Sequence, residues 1–388
     1  MTRILTYNIL VGGARRIDQI ANMIRAAHPD VVGLVEATNP RVVAELAERL
    51  GMEYRMTGSG SHQRDWQIAA LSRLPIKRSQ VHLSNGALTK PLLEMSVEEE
   101  DGRELTLFVT HLTASFSYSA RGGDNFRRAE ARELLRIMAE KQGTPHLLMG
   151  DLNSLAPGDT LKASRLLRYL VKMDQLRQSK PHESDGHPHL DFVVPPSLRF
   201  LNPLLRVIPR SNVLSAVFDG AGSLYVARGT IRMLLRAGYV DSFRRMNARA
   251  WGFTCPADAP SGRIDYIFAS PELVGRLTAC QVITEGNGLR GDEASDHLPV
   301  LAEFGEKVGS ERNMGGNNRS GLLTCGWEPP HPHVVAYWNT SLVFSNRLRK
   351  MFLSFCSLCS FSRRANSSSR CFCSALRLVG VTTLTMTC

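Results

Sequence analysis

The chain has 388 residues, of which 43% are hydrophobic, so it is long enough to bury a sizeable core and is not disordered throughout. Its formal net charge of +11 is unevenly spread, because residues 306–388 hold 10 Lys+Arg against 3 Asp+Glu and leave 37 against 33 before them. A surplus of +4 over the first 305 residues is too small to indicate nucleic-acid binding from bulk charge.

The amino terminus reads as a first strand, Ile4–Ile9, because it lacks the continuous apolar segment and the small-residue cleavage site of a signal peptide. No stretch of the chain approaches the roughly 20 apolar residues of a membrane span. Only Cys255 and Cys280 precede residue 306, so the main body has no disulfide framework of the kind that small secreted proteins use. These features predict a cytoplasmic protein without a transmembrane segment.

Further elements follow from hydrophobic periodicity. Alternating or β-branched runs predict strands at Val31–Glu36, Gln67–Ser72, Leu92–Val97, Leu105–Thr110, His146–Met149, Arg263–Ala269, Cys280–Thr284 and Val300–Phe304. Helical periodicity predicts helices at Ile17–Ala27, Pro40–Leu50 and Phe126–Lys141. Asp101-Gly102 predicts a hairpin turn, which belongs to antiparallel sheets. The expected fold class is α+β, with two packed β-sheets, mainly antiparallel or mixed, flanked by helices.

A segment of 108 residues, 155–262, lies between two of the predicted site-bearing strands. It contains helix-like stretches at Leu161–Lys172 and Leu224–Ala237 and a Pro-broken apolar stretch at Leu190–Pro209. The basic positions Arg165, Arg168 and Lys172 indicate either a solvated helix face or contact with phosphate or a membrane surface.

The same segment carries a cluster of potential metal ligands, which are His182, Glu183, Asp185, His187, His189 and Asp191. We interpret this cluster as an exposed polar loop, since no predicted helix or hairpin fixes the ligands.

Residues 306–388 lose every periodicity, and the spacing of Cys356-x2-Cys359 and Cys371-x-Cys373 matches no zinc module. We predict one domain over residues 1–305, with 155–262 as an insertion on its substrate side, and a disordered or non-homologous tail.

Oxygen and nitrogen ligands stand at the ends of several predicted strands. Glu36 closes the apolar run Val31–Val35, and Asn8 interrupts the first strand, so both can offer oxygen to a hard cation. Asp296 is a further ligand candidate. Because the set lacks a cysteine, it favours Mg2+ or Mn2+ over structural zinc.

The remaining candidates suit acid-base chemistry. Asp151 and Asn153 follow the run Leu147–Gly150 and suit the positioning of a nucleophilic water. A buried Asp265 is best paired with a cationic group, for which His297 is the obvious partner. A histidine such as His111, taken alone, is more often structural, but the whole set is typical of phosphate-ester hydrolysis.

The ordered motifs carry a family resemblance. They are Thr6-Tyr7-Asn8, Val35-Glu36, Thr110-His111-Leu112, Gly150-Asp151-Leu152-Asn153-Ser154, Arg263-Ile264-Asp265-Tyr266-Ile267 and Ser295-Asp296-His297-Leu298-Pro299. Together they resemble the endonuclease/exonuclease/phosphatase superfamily with its deoxyribonuclease-like fold. The resemblance implies a four-layered α/β/β/α sandwich with a divalent cation at the shared edge of its two sheets.

The resemblance also implies roles for single residues. Glu36 is the principal metal ligand with Asn8 alongside, and Asp151 with Asn153 orients water and phosphate. Asp265 orients His297, which we take as the general base. His111 resembles a second histidine that assists the leaving oxygen in the deoxyribonuclease and sphingomyelinase branches.

Three arginines after His111 are candidate contacts for the substrate phosphate: Arg121, Arg127 and Arg128. Two features depart from the family pattern. Val35 precedes Glu36 where many members have Gln, and the aromatic-rich motif of apurinic endonucleases is missing around His111, which argues against repair of abasic sites.

The expected activity is therefore Mg2+- or Mn2+-dependent hydrolysis of a phosphodiester or phosphomonoester, with nucleic acid as one substrate class. The alternative is the same chemistry on a phospholipid, sphingomyelin-like or inositol phosphate substrate. For this alternative, the apolar residues Leu198, Phe200 and Leu201, with Leu204 and Leu205, would contact a lipid interface. A third hypothesis, a binding module without turnover, conflicts with the apparently complete ligand set.

Overall fold

The structure is a computed structural model that describes residues 1–58, 67–83, 87–114, 124–180, 186–194 and 196–306. All of them belong to one compact unit, Met1–Ser320.

The strands of the described residues are, in chain order, β1 (Thr2–Asn8), β2 (Val31–Val35), β3 (Glu53–Met56), β4 (Ile68–Ser72), β5 (Ile76–His82), β6 (Leu92–Glu98), β7 (Glu104–His111), β8 (His146–Asp151), β9 (Val240–Asp241), β10 (Asp265–Ala269), β11 (Leu277–Val282), β12 (Glu285–Gly286), β13 (Leu289–Arg290) and β14 (Val300–Phe304).

The α-helices are α1 (Ile17–Ala27), α2 (Pro40–Leu50), α3 (Asp124–Met138), α4 (Ala163–Ser179), α5 (Leu190–Val193), α6 (Asn202–Val207), α7 (Asn212–Tyr225), α8 (Gly229–Arg236), α9 (Ser242–Met246), α10 (Pro271–Val274) and α11 (Gly291–Ala294). Short 3-10 helices at Ala139–Lys141, Pro196–Leu201 and Ile208–Arg210 extend or connect them.

Two six-stranded sheets form the frame. Sheet A has the order β11-β14-β1-β2-β4-β3, and sheet B has the order β5-β6-β7-β8-β10-β9. Each sheet contains one parallel pair, β1 with β2 and β7 with β8, among antiparallel neighbours. The predicted pair of mixed sheets is confirmed, and so is the hairpin at Asp101-Gly102, which joins β6 to β7.

Three apolar layers hold this frame together, and strand alternation assigns residues to them. Ile4 of β1 and Leu107 of β7 lie in the core between the sheets. Their neighbours Leu5 and Phe108 point outward, Leu5 to a core that includes α1 and α2 and Phe108 to a core that includes α3 and α8. The helices therefore cover the two outer faces, which gives the four-layered sandwich that the resemblance implied.

The helix starts and ends of the frame follow local rules. Helix α2 begins at Pro40 after Asn39, whose side chain accepts a hydrogen bond from the Arg41 amide, and it ends before Gly51 in the left-handed region. Helices α1 and α2 have the predicted bounds. In the insertion, however, the helix expected over Leu224–Ala237 is wrong, because α7 ends at Tyr225 and α8 begins at Gly229.

The insertion is fixed to the frame by a buried arginine. The Arg263 guanidinium, 1% exposed, donates to Asp241 at 2.9 and 2.6 Å and to Asp159 at 3.0 Å. Because a buried cation is stable only when it is paired and hydrogen-bonded, Arg263 ties Asp159, near the start of the insertion, and Asp241 of β9 to the residues that lead into β10.

Candidate active site

The predicted site residues lie at the same end of the two sheets, where several strands begin or finish. Asn8, His111 and Asp151 are the last residues of β1, β7 and β8, and Glu36 directly follows β2. Asp265 begins β10 opposite Asp151, and His297 lies in the loop before β14. The carboxyl ends of the parallel pairs and the starts of two antiparallel strands therefore converge, as in many α/β folds that bind ligands at strand ends.

Gly150 makes this convergence sterically possible. It has a φ of +140°, and a Cβ at this position would lie 1.9 Å from the carbonyl oxygen of Thr110 on the neighbouring strand. Only glycine avoids that clash, so the residue before Asp151 sets the close approach of β7 and β8 at the site.

One amide joins two carboxylates. The Nδ2 atom of Asn8 donates to Glu36 Oε1 at 3.1 Å and to Asp151 Oδ2 at 3.2 Å. Glu36 has a φ of +57°, and its Oε2 accepts the Val11 amide at 2.9 Å. Non-glycine residues rarely hold a positive φ, and such strained positions concentrate at functional sites.

His297 and Asp265 form a buried pair. Nδ1 of His297 lies 2.9 Å from Asp265 Oδ2, which leaves Nε2 facing Asp151 Oδ2 at 3.9 Å. The Ser295 hydroxyl donates to the Asn8 carbonyl at 2.7 Å and accepts the His297 amide at 3.3 Å, so it fixes the histidine loop to β1. Ligand atoms of Asp151, Asp265 and His297 lie within 4.8 Å of one another, a spacing that suits a metal ion.

Burial and neighbouring charge move the pKa values of these groups in useful directions. Burial would lower the pKa of His297, but the charge of Asp265 and its hydrogen bond raise that pKa well above its ordinary value. Burial and the charge of Asp265 raise the pKa of Asp151 to about 7. A carboxyl group with such a pKa can accept a proton near neutral pH.

His111 and Asn153 also contact Asp151. His111 Nε2 lies 3.6 Å from Asp151 Oδ2, and burial followed by the charges of Lys90 and His297 lowers the pKa of His111 well below its ordinary value. The Asn153 amide donates to Asp151 Oδ1 at 2.9 Å, and its Nδ2 donates to the Leu112 carbonyl at 3.0 Å. His111 is therefore a neutral imidazole at neutral pH.

Asp296 faces the insertion. Its Oδ2 lies 3.9 Å from Nδ1 of His187, which in turn is 2.6 Å from the Tyr169 hydroxyl. Its Oδ1 is buried and has no hydrogen-bond partner among the described residues. Asp296 is not part of the group of three formed by Asp151, Asp265 and His297, and its role as a metal ligand stays a prediction.

The expected exposed polar loop is wrong for His187, whose side chain is 20% exposed beside Asp296. His189 contacts Arg177 at 2.7 Å, and Asp191 accepts from Asn202 at the same distance. His182, Glu183 and Asp185 lie outside the described residues.

The three candidate arginines have different positions. Arg127 on α3 is buried and donates to the Thr113 carbonyl at 3.2 Å, whereas Arg128 is exposed and packs near Gly229. Arg121 lies outside the described residues. Their contact with a substrate phosphate stays a prediction.

Sequence reasoning missed two cations at the site. Lys90 is 6% exposed and donates to the Leu112 carbonyl at 3.0 Å, and burial lowers its pKa to about 8. Arg16 donates to the carbonyls of Ile9, Leu10 and Ala294, so it joins the loop after β1 to the end of α11. Neither lies in a motif or a periodic segment, and the sequence gives no signal for them.

Known proteins share this architecture. The model of the Endonuclease/Exonuclease/phosphatase family matches residues 5–297. An AP endonuclease from Archaeoglobus fulgidus is 14% identical with a TM-score of 0.52, and the match covers 78% of this chain and 99% of that one. An endonuclease/exonuclease/phosphatase from Beutenbergia cavernae is 21% identical with a TM-score of 0.50, and the match covers 79% of this chain and 72% of that one. The comparison with curated protein sequences gives no match.

No helix in the described ranges combines the length and the hydrophobicity that crossing a membrane requires.

Proposed function

Because the chain belongs to the Endonuclease/Exonuclease/phosphatase family, whose members hydrolyse phosphate esters, we propose that it is a phosphodiesterase that depends on Mg2+ or Mn2+. The observation that carries the proposal is the convergence of Glu36, Asp151 and the Asp265–His297 pair at one edge of the two sheets. Acidic oxygens that share an edge with an oriented imidazole are the equipment of metal-assisted hydrolysis.

The residues fit a hard divalent cation. Two carboxylates, Glu36 and Asp151, approach the same Asn8 amide within 3.2 Å, and this concentration of oxygen ligands suits Mg2+ or Mn2+. We assign the ion to Glu36 and Asn8, with Asp296 as the remaining ligand candidate. We do not assign it to the group of Asp151, Asp265 and His297, because Asp265 and His297 are already paired with each other. When bound, such a cation offsets the negative charge of the phosphate.

Asp151 and His297 have different roles in the proposed reaction. Asp151, with a pKa of about 7, accepts the proton of the attacking water, and Asn153 fixes its orientation. His297 is held in one orientation by Asp265, whose charge and hydrogen bond raise its pKa above the ordinary value, and in its protonated form it can stabilise the charge on the phosphate. The expectation that His297 is the general base stays the alternative prediction.

We propose that His111 assists the leaving oxygen by a hydrogen bond and not by transfer of a proton. As a neutral imidazole it can donate a hydrogen bond to the leaving oxygen, but it does not carry the extra proton that a general acid would transfer.

The test uses the purified full chain with bis-p-nitrophenyl phosphate. We expect turnover with Mg2+ or Mn2+, its loss in EDTA, and a loss of about 100-fold or more in His297→Ala. His28→Asn, a change of an exposed histidine at the end of α1, is the matched control and retains activity. Turnover that resists EDTA, or that persists in His297→Ala, contradicts the mechanism.

The substrate class is decided by a panel under the same conditions. It contains plasmid DNA, RNA, duplex DNA with an abasic site, sphingomyelin and inositol phosphates. The abasic duplex is included because the structural relative from Archaeoglobus fulgidus is an AP endonuclease. Hydrolysis of a lipid in preference to every nucleic acid would assign the protein to the phospholipid alternative.

A further inference from the structure

Helix α7 of the insertion has an unusual distribution of side chains. Its inward positions Leu214 and Phe218 pack against a small apolar cluster that includes Leu167. Its outward positions are also apolar, since Val213 is 72%, Val217 37% and Leu224 83% exposed. A surface helix normally places polar residues outward, and a helix that is apolar all round is normally covered.

These outward residues form one stripe. Val213, Val217, Gly220 and Leu224 are separated by four, three and four positions, which places them on one face of the helix. We call them the α7 stripe. All four are exposed.

Three polar side chains of α7 bond inward, whereas Asn212, its first residue, is exposed. The only charged residue of the helix, Asp219, accepts the Ser164 amide at 2.7 Å. The Ser215 hydroxyl donates to the Ile208 carbonyl, and the Ser223 hydroxyl donates to the Leu161 carbonyl, both at 3.1 Å. Helix α7 is therefore not turned with its wrong face to solvent, because Ser215, Asp219 and Ser223 already have hydrogen-bond partners on its inner side.

Basic residues accompany the stripe. Residues 196–228 contain four arginines, Arg199, Arg206, Arg210 and Arg228, against the single acid Asp219. Arg206 and Arg210 are exposed on either side of the exposed Val207 in the turn that leads into α7. Arg206 also pairs with the buried carboxylate of Asp174 on α4, so Arg210 is the cation of this turn whose charge faces solvent without a carboxylate partner among the described residues. Across this turn, exposed Arg168 of α4 donates to the Pro209 carbonyl at 3.3 Å.

We propose that the α7 stripe and the arginines around Val207 dock the protein onto an anionic phospholipid bilayer. The aliphatic side chains enter the boundary between headgroups and acyl chains, and the guanidinium groups pair with lipid phosphates. Phe200, 66% exposed one residue after Arg199, lies in the same α6–α7 part of the insertion and supplies an aromatic side chain for the interface.

Other occupants fit this surface less well. Nucleic acid is bound through phosphate contacts and aromatic stacking, and neither uses a stripe of valine and leucine. A second copy joined symmetrically through the same face would bring its own Arg210 toward that of the first, and like charges oppose such a contact.

The docking does not depend on the proposed catalysis. It is measured by co-sedimentation of the full chain with mixed phosphatidylcholine–phosphatidylglycerol vesicles, against pure phosphatidylcholine vesicles, in EDTA and also with His297→Ala. We expect binding to the anionic vesicles that weakens with added salt and that both conditions leave unchanged.

The decisive variant is Val213→Asp/Val217→Asp. It should weaken vesicle binding roughly 100-fold, because the apolar burial of each of the two valines corresponds to about a tenfold change in affinity. Arg210→Glu should also weaken binding. Leu83→Asp, at a leucine 69% exposed just after β5, is the matched control and binds as the unmodified chain does.

Three results would overturn the proposal. One is vesicle binding by Val213→Asp/Val217→Asp that equals that of the unmodified chain. The second is a dimer in lipid-free solution that this variant converts to a monomer, which would assign the stripe to a second copy. The third is an oligonucleotide that displaces the chain from vesicles and that the variant binds more weakly than the unmodified chain does, which would assign the stripe to nucleic acid. If circular dichroism shows that the double variant is unfolded, Leu224→Ser replaces it under the same criteria.

Discussion

Asp265→Asn is the most informative single change at the site, because it keeps the shape of the side chain and removes its charge. The 2.9 Å contact with His297 Nδ1 joins side chains that are only 2% and 8% exposed. Removal of one member of a buried ion pair costs about 3–5 kcal/mol, which lies within the roughly 5–15 kcal/mol that a domain has available. We therefore expect a folded but destabilised variant.

The cost has a pH dependence whose sign follows from His297. Burial would lower the pKa of His297, and Asp265 reverses this and raises it above its ordinary value of 6.5. A group whose pKa is raised in the folded chain contributes its full stabilisation below the unfolded pKa and loses it as pH rises through the folded value. The difference in free energy of unfolding between the unmodified chain and Asp265→Asn should be largest below about pH 6.5 and shrink in alkaline solution.

Two measurements check this expectation. Denaturant unfolding at acidic and alkaline pH gives the stability difference, and NMR of the His297 ring should show that its pKa falls below the ordinary range when burial acts without Asp265. The rate constant for bis-p-nitrophenyl phosphate should fall about 100-fold to 10,000-fold. Asp101→Asn, at a 41% exposed carboxylate in the β6–β7 turn, is the control. An unchanged His297 titration or a rate within threefold of the unmodified chain would refute the reasoning.

Three further outcomes are expected. When Mg2+ is added to the EDTA-treated chain, the melting temperature should rise, because an ion that binds only the folded state stabilises it by about 2.7 kcal/mol at 100 times its Kd. Glu36→Gln should abolish this rise, and an equal rise in the variant would exclude Glu36 as a ligand. Gly150→Ala should lower the free energy of unfolding by about 2–6 kcal/mol, because the new Cβ would lie 1.9 Å from the Thr110 carbonyl oxygen and the backbone φ is +140°. The control is Gly51→Ala, whose Cβ meets nothing within 4 Å, and equal melting temperatures of the two variants would contradict this expectation. The value of kcat/KM should rise with pH through about 7 as Asp151 ionises, and a bound metal ion would move this rise to lower pH. A kcat/KM that does not change with pH in steady-state kinetics would exclude Asp151 as the base.

The frame and its site were predictable because both depend on patterns that are local in sequence. Apolar runs such as Val31–Val35 and Leu147–Met149 are strands buried on both faces, and the first polar residue after each run emerges at the sheet edge. Edge strand β5 was missed because its residues Lys77–Gln80 are polar and exposed. Helix α7 was missed because its glycines, Gly220 and Gly222, interrupt helical propensity.

The insertion behaves differently because its contacts are not local. His187 reaches Asp296 through a fold that brings together residues more than 100 positions apart, and no spacing in the sequence encodes this pairing. The same holds for Arg263, whose carboxylate partners lie 22 and 104 positions away. Periodicity can place a residue on a strand or helix face, but it cannot determine which loop packs against which edge.

Charge separates the frame from the insertion in the same way. Residues 155–262 hold 15 Lys+Arg against 8 Asp+Glu, whereas the rest of the first 305 residues holds 22 against 25. The frame therefore combines a slight excess of acids with a cluster of carboxylates at its site, and this combination repels a phosphate ester at long range. Since fields beyond contact distance steer charged ligands, the positive insertion is the part of the domain that can draw an anionic substrate or an anionic surface toward the site. We therefore predict that the frame carries the chemistry and the insertion carries the recognition, so that a change in the insertion redirects substrate choice while Asp151, Asp265 and His297 stay in place.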